Sequence, residues 1–263
     1  MLKGLYAAAS AMISGVNRQA VLTHNITNLN TAGFKQVMLT MEDWKQTQVS
    51  EVTNSSLKTN YPPIFPSLAV QGVTNLGEIG LGVQNPAETY DFSQGALQTT
   101  NQPLDMAIQG DGFFKVQTPA GDRYTRDGRF HLDSNHHLVT VDGNFVLDKN
   151  GNQITLPDNS NISVKGDGTI TAGTQIKAQL SISSFANPKT DLTRDENMFA
   201  AVGTPIASTG QVFNNVLEGS NADLTQSMAQ MLSIGRSYDA AQQMVTVQDT
   251  LLGKSISTLG RYT

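Results

Sequence analysis

Apolar and small residues open the chain at Leu2, Leu5, Ala9, Met12 and Val16, then recur at Thr23 and Ile26, in steps that alternate three and four. Gln19 fills the slot between. That period lays one side of a helix against a partner helix, as in a coiled coil. No proline interrupts the run; Asn28, Asn30 and Gly33 punctuate its end, and Gly33 suits a left-handed turn. The last segment repeats the pattern. Leu224, Met228, Met231, Tyr238, Val245, Leu252, Ile256 and Leu259 share one three-four register, with Gly235, Gln242 and Asp249 in its remaining slots. Ser220 followed by Asp223 reads as a capping box with Asp in place of Glu. A helix from Ser220 to Leu259 is on the order of 60 Å long and has to run along something. Either segment alone could be an amphipathic helix covering its own domain. Two of them at opposite ends can pair antiparallel and leave the middle as one insertion.

The middle alternates with period two. Gly112-Phe113-Phe114-Lys115-Val116-Gln117, Arg129-Phe130-His131-Leu132, Leu138-Val139-Thr140-Val141 and Phe145-Val146-Leu147 are short strand patterns. Asp127-Gly128, Asp142-Gly143, Asn150-Gly151 and Asp167-Gly168 stand beside them as hairpin turns, because glycine tolerates positive φ. Phe113, Phe114, Tyr124, Phe130 and Phe145 are the expected core of this part. The stretch from Gln46 to Asn85 is rich in Ser, Thr and Asn; its Tyr61-Pro62-Pro63-Ile64-Phe65-Pro66 forbids helix and favours extended chain. The expected class is α+β: long N- and C-terminal helices pairing as a coiled coil around an inserted antiparallel β-rich domain. The expected boundaries are 1–36 for the N-terminal helix, 37–95 for an extended or β linker, 96–216 for the β domain and 217–263 for the C-terminal helix.

Composition narrows the function. Of 263 residues, 38% are hydrophobic and 15% charged, so amides, hydroxyls and glycine fill the surface. Neutral polar groups cost less to bury against neighbours than charges do. The net charge is -5 with no basic run, which argues against nucleic acid as a partner. The chain has no cysteine, so disulfides and thiolate metal sites are excluded. No secretory-type apolar core follows Met1, and no run approaches a membrane span.

Fragments of chemistry do not complete themselves. Gly253-Lys254-Ser255 ends like a phosphate loop, but Gln248 stands where its first glycine belongs. His131, His136 and His137 lie near Asp133, but neighbouring residues of a hairpin point to opposite faces. Asp148-Lys149-Asn150-Gly151 lacks the further ligands of a calcium loop. No catalytic residue, cofactor, metal or small-molecule substrate is expected. The seam of the two helices is soft, since Ala9, Thr23, Gly235 and Gln242 are small or polar. Such ends should gain full order only when further helices join them.

Several motifs resemble one family in order along nearly the whole chain. They are His24-Asn25-Ile26-Thr27-Asn28-Leu29-Asn30-Thr31-Ala32-Gly33-Phe34-Lys35, Gly95-Ala96-Leu97, Pro103 to Phe114, Tyr124 to Phe130, Leu138-Val139-Thr140, Leu217-Glu218-Gly219-Ser220-Asn221 and Arg236-Ser237-Tyr238. This resembles the bacterial flagellar rod and hook proteins, with the length and the insert after Met41-Glu42-Asp43 looking like the distal rod type. Proximal rod or hook subunits of the same family remain the alternative; the rival from another class is a secreted β-rich binding module or hydrolase. The resemblance implies a structural subunit exported without a cleaved signal peptide by the flagellar type III apparatus. Such a subunit would form a helical homopolymer in the basal body, with rod and hook proteins as neighbours. The expected assembly seam is Leu2, Leu5, Met12, Val16, Ile26, Leu224, Met228, Met231, Tyr238, Val245 and Leu252. The expected signature turn is Asn25, Asn28, Asn30, Thr31, Gly33, Phe34 and Lys35.

Overall fold

The computed structural model of the chain describes residues 2–39, 42–43, 46–50, 75–80, 83–84, 88–157, 162–195 and 197–259. The Tyr61–Pro66 stretch lies outside them, as do the side chains of Leu2 and Leu259. The class is α+β. One helix runs Leu2–Thr27, short strands follow, and a second long helix runs Leu224–Leu259. The chain divides into two compact units, one of residues 1–19, 39–87 and 232–263, the other of residues 20–38 and 88–231.

In the first unit the two helices approach through small residues. A Cβ on Gly15 would meet Ile234 at 3.7 Å and Tyr238 at 4.0 Å, and one on Gly4 would meet the Gln248 amide at 2.8 Å. As one chain number rises the other falls, so the contact is antiparallel. Among the described residues this unit also holds two ladders: Glu42–Asp43 with Val83–Gln84, and Gln46–Ser50 with Asn75–Gly80, both antiparallel.

The second unit is built on a nine-stranded sheet. Its main path runs Phe130–Leu132, Leu138–Thr140, Phe145–Val146, Phe113–Thr118, Gly121–Thr125, Met198–Ala201 and Leu192–Asp195. Ile182–Ser184 pairs with the start of Phe113–Thr118 and with Ile206–Ala207. Phe113–Thr118 is central, and both of its faces are covered. Phe114 and Val116 enter a cluster with Met106, Ile108, Phe130, Leu138, Ile154, Leu156, Ile170 and Val212. Phe113 turns the other way, into a cluster with Tyr124, Phe185, Leu192 and Phe199. There its ring lies 5.8 to 6.1 Å from those of Phe92, Phe185 and Phe199. Alternation along one strand thus feeds two cores. Phe145 is only half-buried and packs on His137.

Three of the four expected turns hold: Gly143, Gly151 and Gly168 take φ of 80°, 84° and 81°. Asp127-Gly128 does not form a hairpin turn, because the strands on either side of it pair with other partners. The glycine is needed for room instead, since a Cβ there would lie 1.6 Å from the Met106 carbonyl oxygen. The expected capping box is also replaced. Asp223 itself caps the C-terminal helix, its Oδ1 accepting from the backbone N–H of Thr225 at 2.7 Å and of Gln226 at 3.2 Å. Ser220 closes a separate turn by accepting from Ala222 N–H.

Phe114 has no exposed surface. Phe114→Ala should therefore lower stability by about 3–5 kcal/mol, read as a shift in the urea midpoint of the full chain.

Candidate functional site

The N-terminal helix ends by turning its own polar side chains onto its last carbonyls. The Asn28 amide donates to the His24 carbonyl at 2.9 Å, and the Thr31 hydroxyl donates to Asn28 Oδ1 at 3.1 Å. Asn25, fully buried, locks the outgoing chain with a two-way bond. Its amide donates to the Val37 carbonyl at 2.8 Å and its oxygen accepts from Val37 N–H at 3.0 Å. Gly33 then takes φ 66°, and a Cβ there would strike the Arg126 carbonyl at 2.3–2.4 Å. Only glycine meets both demands. Asn30 is exposed and Phe34 is buried.

This turn delivers Lys35 to a buried carboxylate. Lys35 Nζ lies 2.7 Å from Glu218 Oε1, and Arg126 Nη1 lies 3.0 Å from Glu218 Oε2. The Glu218 side chain has 0% of its surface exposed, against 1% for Lys35 and 4% for Arg126. The remaining bonds are made to backbone. Lys35 donates to the Ser93 carbonyl, Arg126 to the carbonyls of Ile108 and Gly110, and Gly95 N–H to Glu218 Oε1. The Glu218 carbonyl accepts from Gly33 N–H at 2.7 Å. The guanidinium carbon of Arg126 stands 5.2 Å over the Phe113 ring, which joins the triad to the aromatic core. Asn221 seals the edge, its oxygen accepting from Gln36 N–H and its amide donating to the Asp91 carbonyl.

Two cations and one anion share this dry site. Burial pushes the Lys35 ammonium below its ordinary value, Glu218 pulls it back up, and Arg126 adds to the fall. The three charged side chains are shut away from solvent, facing one another and the backbone. Among the described residues no group of His, Asp and Glu could hold a metal, and no helix is long and apolar enough to cross a membrane. The chemistry available here is a structural lock.

The sequence pointed to Lys35 but not to Glu218 as its partner, nor to Arg126 and Asn221 beside it. Glu218 left a signal, a lone charge among small and apolar residues at Val216-Leu217-Glu218-Gly219, whereas Arg126 left none among Asp122, Arg123, Asp127 and Arg129.

The seam residues fall into two groups. On the C-terminal helix Met231, Tyr238, Val245 and Leu252 lie on the half-buried stripe. The slots between them belong to Ile234, Ala241, Gln248 and Ser255, whereas Gly235, Gln242 and Asp249 are exposed. A helix of 3.6 residues per turn offers either neighbour to the partner, and bulky Ile234 is buried in preference to Gly235. On the N-terminal helix Ala8, Ser14 and Leu22 are buried, and Leu5, Met12 and Ile26 are partly covered. Val16 is 53% exposed, Leu224 42% and Met228 53%.

Glu218→Gln leaves two buried cations facing a neutral amide and should cost about 3–5 kcal/mol. Lys35→Met should cost less, because Arg126 and Glu218 then balance one to one. The pH dependence separates them further. The folded chain holds the Lys35 proton less tightly than the unfolded chain, so stability from this group rises as pH climbs from the folded value toward 10.5. Lys35→Met should lose that alkaline rise in urea midpoint. Tyr90 and Tyr124, both raised by burial, titrate alike in the two proteins and cancel in the difference.

Comparison with known proteins gives the triad a context. The family model described as "Flagella basal body rod protein" matches residues 5–35. "Flagellar hook protein FlgE/F/G D1 domain" matches 107–172, and "Flagellar basal body rod FlgEFG protein C-terminal" matches 214–259. Each matched segment supplies one member of the triad: Lys35, Arg126 and Glu218. The flagellar basal-body rod protein FlgG of Bacillus subtilis is 32% identical over 98% of this chain and 99% of its own length. That of Borreliella burgdorferi is 33% identical over 96% and 97%. The flagellar basal-body rod protein FlgF of Rhizobium meliloti is 33% identical over 99% of both chains. The chain, with a long helix at each end of its sequence and a β-rich part between, belongs to the flagellar basal-body rod protein family and is of the FlgG type.

Proposed function

We propose that this structural rod subunit polymerises through its terminal helices into a tubular axial filament that transmits torque to the hook. The two helices pair as a coiled coil in the inner layer, with further copies of the chain and neighbouring rod and hook proteins around them. The single observation that carries this is the unequal use of the helix surfaces. The sheltered stripe mixes small or polar side chains, such as Ala8, Ser14, Ala241 and Gln248, with apolar ones, such as Leu22, Met231, Ile234 and Val245. Further large apolar side chains stand outside it: Ile13 and Val16 on one helix, Met228, Leu232, Met244, Val247, Leu251 and Ile256 on the other. A monomer gains nothing from that arrangement, whereas a bundle of neighbours buries it. Leu5, Met12, Val16, Ile26, Leu224, Met228, Met231, Tyr238, Val245 and Leu252 are the proposed interface, together with Leu2. The signature turn from Asn25 to Lys35 leads the chain out of the inner layer.

A soft seam also suits export. Helices that order fully only among neighbours can pass unfolded through the flagellar type III apparatus and reach the extracytoplasmic basal body without a cleaved signal. The rival reading, a β-rich binding module or hydrolase, has no observation in its favour at the triad.

Val16→Asp introduces a charge at a site already in solvent. It should leave the circular dichroism and melting of the monomer unchanged while abolishing filaments by electron microscopy. Normal filaments from this variant would remove Val16 from the interface.

A further inference from the structure

We propose that His24 is a pH-sensitive latch: neutral, it ties the end of the N-terminal helix to the hairpin of the strands Leu192–Asp195 and Met198–Ala201, and protonated, it lets that hairpin go. Arg194, on the first strand of the hairpin, reaches His24 Nε2 with Nη2 at 3.0 Å. The Asn28 amide nitrogen stands 3.3 Å from the same ring atom. The orientation of that amide is settled by the His24 carbonyl oxygen, which only accepts and lies 2.9 Å from the same amide nitrogen. An arginine has no acceptor and an amide nitrogen only donates, so Nε2 must offer its lone pair to both, and the ring proton resides on Nδ1. Protonation replaces that lone pair with an N–H. Both bonds are lost, and a second cation stands against the guanidinium.

Phe34 makes the latch more than a surface contact. Its ring centroid is 5.4 Å from that of His24, and the Arg194 guanidinium carbon lies 5.5 Å from it. Both groups therefore cover the phenylalanine next to Lys35. On the hairpin, Arg194 is opposite Phe199 of the neighbouring strand, and Phe199 belongs to the aromatic core with Phe113. Movement of Arg194 would be felt on both sides.

The other charged or titratable groups facing His24 come from the strand Thr89–Tyr90 and the residue before it. Glu88, exposed, favours the imidazolium; Tyr90, raised by burial, stays neutral through the acid range. Burial and Arg194 outweigh Glu88 and hold His24 below its ordinary 6.5. The sign follows. The folded chain binds this proton less tightly than the unfolded one, so the contribution of the latch is complete above pH 6.5 and is lost as pH falls toward the folded value.

The test is made on the full chain, with an NMR titration of the His24 ring and hydrogen exchange of the hairpin amides. His24 should titrate below 6.5. Opening of the hairpin should rise roughly tenfold for each unit by which His24 lies below that value. His24→Gln, whose side-chain oxygen accepts from Arg194 at any pH, should abolish the acid dependence. Arg194→Gln should raise the pKa of His24. Titration of His24 at or above its ordinary value in the unsubstituted chain overturns the latch. So does acid-induced exchange that persists unchanged in His24→Gln, and so does a His24 pKa that stays put in Arg194→Gln.

Discussion

A carboxylate removed from water must be met by positive charge and by hydrogen-bond donors, and Glu218 is met by Lys35, Arg126 and the Gly95 amide at once. That requirement organises the second unit. Lys35 comes from the chain leaving the first helix, Arg126 from the end of a central strand, Glu218 from the chain approaching the second helix. Neither cation can be buried here without Glu218, nor Glu218 without a cation, so distant segments have to arrive together. The surrounding glycines make the convergence sterically possible. Gly33 turns where the Arg126 backbone would collide with any side chain, and Gly95 lies so close to the Gly219 carbonyl that a Cβ would be 2.0 Å away. The motifs around Gly33, Lys35, Gly95, Arg126 and Glu218 thus have one physical explanation: they are pieces of one lock.

The helices follow a different logic. In the first unit they meet through Gly15 against Ile234 and Tyr238, and through Gly4 against Gln248. Small residues permit that approach but bury little apolar area, so the contact is specific without being strong. Several other large apolar side chains, Ile13, Val16, Leu232 and Ile256 among them, are left exposed beside that contact.

Much of this was legible in the chain itself. The period of three and four announced both helices, and Asp-Gly and Asn-Gly steps announced the hairpin turns at Gly143, Gly151 and Gly168. Where the reading missed, a tertiary contact had won over a local signal. Asp127-Gly128 carries a turn dipeptide, yet its glycine exists to let the Met106 backbone pass. Ser220 has a capping spacing, yet Asp223 begins the helix because its carboxylate reaches two amides directly. The seam slots on the C-terminal helix shifted by one residue, from Gly235 to Ile234, since periodicity alone cannot choose between adjacent faces of a helix.

The sequence by itself determined the class, the two terminal helices and the motifs that mark the rod family, because these rest on residue spacing and on the backbone freedom of glycine, both local properties. It also named Lys35 without giving its purpose. Only the tertiary structure decided that Lys35, Arg126 and Glu218 form one buried triad, and that His24 takes bonds from Asn28 and Arg194 on a single nitrogen. Charge pairing over separations of 92 and 183 residues leaves no periodic trace, since its energy depends on distance and desolvation in space and not on position along the chain.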